Sequence, residues 1–259
     1  TGIASFSVLE KANESIENLS EKDLSKYNEI VVRVNKICQA AFEADVPVFI
    51  DAEESWIQNT IDRIAEQMME LYNKDKAIVF NTIQLYRWDR LDFLKTSLDT
   101  AKTKNYFLGM KLVRGAYMEK ERGRAQAKSY PSPIQKTKID SDKDYDLALE
   151  FCVENISRIS ICAGTHNEKS SLFLTTLLEK YSISKSDKRI YFAQLLGMSD
   201  HISYNLADAE YNVAKYVPYG PVKEVLPYLL RRADENTSVA GQTGRELSLI
   251  SEERKRRSN

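Results

Sequence analysis

Six short runs of β-forming residues constrain this chain more than any other feature in it. They occupy Val46 to Asp51, Ala77 to Gln84, Phe107 to Arg114, Ile156 to Thr165, Arg189 to Leu195 and Asn212 to Pro218. Several are nearly continuous in apolar residues, as in Ala77-Ile-Val-Phe80. A strand without polar alternation is one covered on both faces, as in a parallel sheet. Between the runs lie segments with helical period. Ile57, Ile61, Ile64, Met68 and Leu71 recur at three- and four-residue spacing, Leu172, Leu174, Leu177 and Leu178 behave similarly, and Lys143 to Glu154 opens another helix. Alternation of this kind predicts parallel βα units, either in an open doubly wound sheet or in a closed (β/α)8 barrel. No GxGxxG is present, and no two glycines sit two apart, so the dinucleotide fingerprint of the open sheet is missing. The expectation is therefore an α/β chain with a TIM-like (β/α)8 barrel, of which six strands are visible. A full barrel needs eight. Residues 1–45 read as a helical lead-in and 46–259 as six strand–helix units.

Composition narrows the function. The formal net charge of −1 lacks the basic excess of a nucleic-acid binder. Two histidines exclude a histidine-rich metal site, and no metal is expected. Cys38, Cys152 and Cys162 have no CxxC spacing and read as thiols of a reducing compartment rather than a disulfide frame. No segment approaches the roughly 18 apolar residues of a membrane span. The chain opens on Thr1-Gly2, as a processed or trimmed chain would.

In a barrel, chemistry gathers where strands end. Polar residues do end these runs: Asp51 with Glu53 and Glu54 behind it, Gln84, Lys111 and Arg114 before Gly115-Ala116-Tyr117, Thr165-His166-Asn167, Gln194, and Tyr216 with Tyr219. Each alone also reads as a helix cap, a solvated strand end or a surface ion pair. Recurrence at one end of six units is what sets them apart. Gly115 and Ala116 leave room for a flat ring to approach the backbone, and Lys111 and Arg114 supply positive charge beside it. His166 has no GxSxG partner, so a hydrolase triad is not expected. His201 reads as the start or cap of a helix, and Cys162 as core. In a helix over 222–236, Tyr228, Arg231, Arg232 and Glu235 share one face. That face is either an ordinary solvated side or a grip for a small carboxylate, because guanidinium pairs bidentately with carboxylate.

These residues carry a family resemblance. The run from Lys215-Tyr-Val-Pro-Tyr-Gly-Pro to Tyr228-Leu-Leu-Arg-Arg-Ala-Asp-Glu-Asn236 resembles the signature of proline dehydrogenases. So do Phe49-Ile-Asp-Ala-Glu53, Asn81-Thr-Ile-Gln84, Lys111 to Tyr117, Thr165-His-Asn167 and Gln194-Leu-Leu-Gly-Met198, all in the family's order from about residue 46 to 250.

The resemblance implies a distorted (β/α)8 barrel with FAD held non-covalently at the C-terminal face. The activity it implies is oxidation of L-proline to Δ1-pyrroline-5-carboxylate, by hydride transfer from C5 of the substrate to N5 of FAD, with a quinone as final acceptor. Carried over by position, Arg231 and Arg232 bind the carboxylate, and Tyr216 and Tyr228 wall the ring with Leu196 and Ala116 nearby. Lys111 lies near flavin N5, Gln84 and Gln194 contact the isoalloxazine, and Val113 and Gly115 line the same site. Arg114, Thr165, His166 and Glu235 serve the phosphate, ribose or adenine end, and Asp51 anchors the network around Tyr216 and the arginines. A phenol at Tyr216 crowds C4 of the ring and favours proline over hydroxyproline, so hydroxyproline dehydrogenase ranks second. A non-catalytic barrel fragment is the third reading. The resemblance further implies peripheral membrane contact and a pyrroline-5-carboxylate dehydrogenase domain or protein as partner, without nucleic acid. Its setting would be bacterial cytoplasm at the membrane or, alternatively, the mitochondrial matrix and inner membrane. One departure stands out. Thr1-Gly-Ile-Ala resembles the stretch just after the family barrel's second strand, so two strands, one bearing a lysine near the substrate, are expected to be missing here.

Overall fold

The computed structural model describes residues 3–223, 225–226, 228–230, 248 and 251–258. The chain divides into two compact units, Thr1–Lys215 and Tyr216–Asn259.

The first unit opens with two helices, α1 (Phe6–Glu14) and α2 (Glu21–Glu43), and continues as strand–helix alternation. The strands are β1 (Val48–Ile50), β2 (Val79–Gln84), β3 (Leu108–Val113), β4 (Ile159–Gly164), β5 (Ile190–Leu195) and β6 (Val213–Tyr216), the last ending one residue into the second unit. All six expected runs are strands, each trimmed at its ends. The helices between them are α3 (Ser55–Tyr72), α4 (Arg90–Thr103), α5 (Met118–Ala127), α6 (Lys138–Glu154), α7 (Glu168–Lys180) and α8 (Asp200–Asp208).

The strands form one sheet in the order β1-β2-β3-β4-β5-β6, and the pairs from β1 to β5 are parallel. A doubly wound sheet reverses its strand order at a switch point. This sheet never reverses, which is the topology of a barrel. Among the described residues six strands are present, where eight would close the ring.

Register divides the sheet into two faces. Val79, Ile83, Leu108, Met110, Leu112, Ile159, Ile161, Ala163, Ile190 and Phe192 face the helices and form the main core with Leu94, Leu98, Tyr145, Leu149, Leu174 and Leu177. Apolar burial on this scale is worth about 25 cal/mol per Å² and dominates the fold. Val8, Leu9 and Ala12 of α1 pack separately on Ile57, Ile61 and Ile64 of α3. Leu71 and Leu172, expected on the apolar stripes, instead face outward at 59% and 68% exposure.

Asn73 ties the bottom of the sheet together. Fully buried, its side chain accepts from the Ile78 and Val79 amides and donates to the carbonyls of Val79 and Phe107, while its own carbonyl accepts from Phe107. These bonds satisfy strand-end groups that would otherwise be buried unpaired.

In the second unit, residues 222–223, 225–226 and 228–230 are helical, as are 251–258. Arg231, Arg232 and Glu235 lie outside the described residues.

Candidate active site

The opposite face of the sheet is built in layers. Side chains alternate along a strand, so register brings together one residue from each strand in a row. The lowest row holds Phe49, Phe80, Gly109 and Ser160. The Phe49 and Phe80 rings sit 5.1 Å apart, and Phe80 lies across the space where a side chain at Gly109 would stand, 3.0 Å from an added Cβ. The floor is apolar.

The next row up is ionic. Thr82 pairs with Lys111, Lys111 with Cys162, and Cys162 with Tyr191, while Asp51 follows Ile50 at the end of β1. The Lys111 Nζ reaches across β2 to the Asp51 carboxylate in a close ion pair, and lies 5.6 Å from the Phe49 ring centre. Beneath that bridge the Thr82 hydroxyl is buried with no hydrogen-bond partner. Above it come Gln84, Val113 and Gly164. A Cβ on Gly164 would press on Val113 at 3.0 Å, so the glycine keeps this level open. Gln84 is buried and donates to the Glu53 carbonyl at 2.6 Å.

Arg114 belongs to a second cluster. Its Nε donates to Asp142 at 2.6 Å, and its two terminal nitrogens donate to Thr165 Oγ1 at 2.9 Å and Ser170 Oγ at 3.0 Å. The guanidinium stacks 4.4 Å over the Tyr145 ring. Burial works against the Asp142 charge, but hydrogen bonds from Lys138 and Arg114 outweigh it and hold the carboxyl below its ordinary range. Thr165 also receives the Asn167 amide, and Asn167 caps α7 by accepting from the Lys169 and Ser170 amides. The strand end thus passes directly into a capped helix N-terminus, where backbone N–H groups favour anions.

Lys111 and Arg114 therefore serve two different clusters, one facing the row of Asp51 and one facing α6 and α7. Gln194 is buried on the helix side of β5, donating to the Thr165 carbonyl at 3.2 Å and accepting from Ser203 at 2.9 Å. His166 Nδ1 lies 3.1 Å from the Ser199 hydroxyl. His201 is the second residue of α8, with Nε2 2.8 Å from Glu168. Ala116 and Leu196 are exposed. The space beside Gly115, read from sequence as room for a ring, is filled by Tyr86, whose ring would meet a Cβ at 2.4 Å; φ there is +135°. In the second unit, Tyr216 and Tyr228 place their ring centres 5.5 Å apart at 49°. Asp142, Tyr145, Ser170 and Ser203 were not singled out from sequence. Helix positions carry no strand-end signal, and only the fold brings these four to the site.

The family model described as proline dehydrogenase matches residues 4–245. The chain belongs to the proline dehydrogenase family. It is 41% identical over 252 residues to proline dehydrogenase 1, mitochondrial, of Drosophila melanogaster, with 93% of this chain and 37% of that protein covered. It is 36% identical to the protein of the same name from Homo sapiens, covering 91% of this chain and 40% of the relative. A hydroxyproline dehydrogenase of Xenopus laevis is 37% identical, with 97% and 55% covered. The chain thus spans only part of each relative. Among solved structures, proline utilization A from Bdellovibrio bacteriovorus inactivated by N-propargylglycine is similar, with a TM-score of 0.77 at 25% identity over 83% of this chain and 22% of that one. The sequential parallel sheet is accordingly a segment of the family's TIM-like barrel.

Proposed function

We propose that this chain forms most of the active site of an enzyme that oxidises L-proline to Δ1-pyrroline-5-carboxylate, with FAD as cofactor. The row of Asp51, Thr82 and Lys111, in a chain of this family, carries the reading. The donor set suits a flat heterocycle edged with acceptors. It offers a buried hydroxyl lacking a partner, a lysine ammonium, the Gln84 amide and a bare backbone at Gly164. When bound, FAD supplies the chemistry of accepting a hydride from the carbon beside the ring nitrogen.

The rest falls to the chain. Lys111 would supply a positive charge to offset the negative charge that reduction adds, and Asp51 keeps that ammonium aimed. Val113 and Gln84 would line the heterocycle, beside the Gly115 backbone that Tyr86 backs and the Gln194 amide held by Thr165 and Ser203. Arg114, Thr165, His166 and the start of α7 present donors for phosphate, and Glu235 an acceptor for ribose. Arg231 and Arg232 pair with the substrate carboxylate and fix its orientation. Tyr216 and Tyr228, with Leu196 and Ala116, supply apolar walls that exclude water.

A quinone is the proposed electron acceptor, which implies contact with a membrane surface. No helix among the described residues is long and apolar enough to cross one. The product is assigned to a pyrroline-5-carboxylate dehydrogenase partner. Of the two settings, the mitochondrial one is favoured by the relatives' names. Hydroxyproline oxidation stands as the second reading because of the Xenopus laevis relative, and the Tyr216 phenol argues for proline.

Anaerobic titration tests this directly. The full-length protein, loaded with FAD, should lose its flavin absorbance on addition of L-proline and less readily with hydroxyproline. Arg231→Ala should need at least about 30-fold more proline, the equivalent of about 2 kcal/mol for an under-paired carboxylate. Tight flavin binding without bleaching by either substrate would sink the proposal.

A further inference from the structure

Helix α5 carries a group that no part of the proposed chemistry uses. Glu121 is fully buried, and its carboxylate accepts two hydrogen bonds from Ser55, one from the backbone N–H at 2.6 Å and one from the hydroxyl at 2.7 Å. Ser55 is the first residue of α3, and Glu54 at the cap position of that helix makes no side-chain capping bond. The carboxylate of one helix thus caps the N-terminus of another, 66 residues away in sequence. Charge and geometry agree, since a helix N-terminus presents unpaired N–H groups and a partial positive charge.

Glu121 does not act alone. Lys120 donates to Glu54 at 2.9 Å, and the Tyr117 hydroxyl donates to Glu53 at 2.5 Å. Tyr117 at the cap position of α5 and Lys120 and Glu121 in its first turn thus hold three consecutive residues, 53, 54 and 55. From the other side, Gln84 donates to the Glu53 carbonyl at 2.6 Å, and the Glu53 amide donates to Gln58 at 2.8 Å. The segment so held begins at Asp51, the partner of Lys111. Of these contacts the Glu121 pair sits at the point where the segment becomes helix.

We propose that Glu121 is a positioning residue: by capping α3 from α5 it fixes the β1–α3 connection, and so the Asp51 carboxylate against Lys111. The part of this that concerns catalysis rests on the dehydrogenase reading; the part that concerns the connection does not.

The test therefore has two readouts on the full-length protein. Hydrogen–deuterium exchange of the amides at 52–57 needs no substrate. Glu121→Ala should speed exchange there at least about tenfold, since the cap bond that opposes opening is lost, and Glu121→Gln, which keeps an acceptor oxygen, should restore most of the protection. Turnover with proline is the second readout. Because Glu121 and residues 52–57 are not among those proposed to hold the substrate carboxylate, KM should stay within about twofold while kcat falls on the order of tenfold, the mark of an interaction made in the transition state. If Glu121→Ala does not fold, Ser55→Ala removes one of the two bonds and should give the same pattern at smaller amplitude. Unchanged exchange at 52–57 overturns the proposal whatever happens to turnover. Faster exchange with kcat and KM both unaltered overturns the link to Asp51. Faster exchange in a protein whose wild type proline never reduces supports the cap and refutes only the dehydrogenase reading.

Discussion

Arg114 shows how much one side chain can organise. Its planar fork serves three partners on three elements, Asp142 of α6, Thr165 after β4 and Ser170 of α7, and its flat face covers Tyr145. A lysine has three donors on one compact ammonium but no planar fork, so it cannot span all three partners in this geometry or stack flat on Tyr145. Arg114→Lys should therefore lower stability by about 1–3 kcal/mol, the cost of leaving half-buried acceptors under-paired. It should also weaken FAD binding on the order of tenfold, because Thr165 and the start of α7 lose their common anchor. Urea midpoints and flavin titration measure the two effects separately, and a variant indistinguishable from wild type in both would show the cluster to be decorative. Thr82 presents the converse case. A buried hydroxyl without a partner costs stability, and such a cost persists most readily where a ligand atom is meant to arrive.

At the scale of elements, the sheet is held at its upper end by carboxylates paired with arginines. Asp142 and Asp89 are both held below their ordinary value of 3.8. For each, burial opposes the charge and hydrogen bonds outweigh it, from Lys138 and Arg114 at Asp142 and from Arg90 and Arg87 at Asp89. A carboxyl whose folded value is depressed contributes stability that is complete above the unfolded value and disappears as pH falls through the folded one. Stability should thus be insensitive to these groups at neutral pH and drop below about pH 4. Asp142→Asn should be less stable than wild type at pH 7 and show a shallower acid loss, which urea midpoints across pH 2 to 7 would reveal; parallel curves would contradict it. Legibility from sequence also divides by element. The six strands were readable from their short runs of β-branched and apolar residues, most strongly in β3 and β4, which are largely buried and apolar, and α3 and α7 because their buried leucines, isoleucines and methionines repeat at helical spacing. The α4 stripe of Leu94, Leu98 and Ala101 was equally readable, although no helix was assigned there. Helix α5 was not. Met118-Glu-Lys-Glu-Arg-Gly-Arg-Ala-Gln-Ala127 has no apolar stripe, and Glu121 is buried by hydrogen bonds to a distant residue rather than by hydrophobicity. For the same reason, Asp51 and Lys111 could be named as strand-end residues, while their meeting across Thr82 depended on register.

At the scale of the whole molecule, the three cysteines report on integrity. Cys38, Cys152 and Cys162 are all buried and free, one on α2, one on α6 and one on β4. Burial raises all three thiols, Cys38 and Cys162 to about 11. The thiolate is the reactive form, so at pH 7 to 8 none should react quickly with a thiol reagent. Labelling should follow opening of the fold and accelerate in step with urea unfolding; a thiol that reacts at once in the native protein would show its part of the structure to be loose. The unbroken strand order has a consequence for how such a chain comes to be folded. Every strand from β2 onward docks on the strand made just before it, so between these six strands no edge is held open for one that emerges later. Chain synthesis runs from the N-terminus and domains fold as it proceeds. This sheet can grow one βα unit at a time as the ribosome delivers it, each new unit covering the edge exposed by the last.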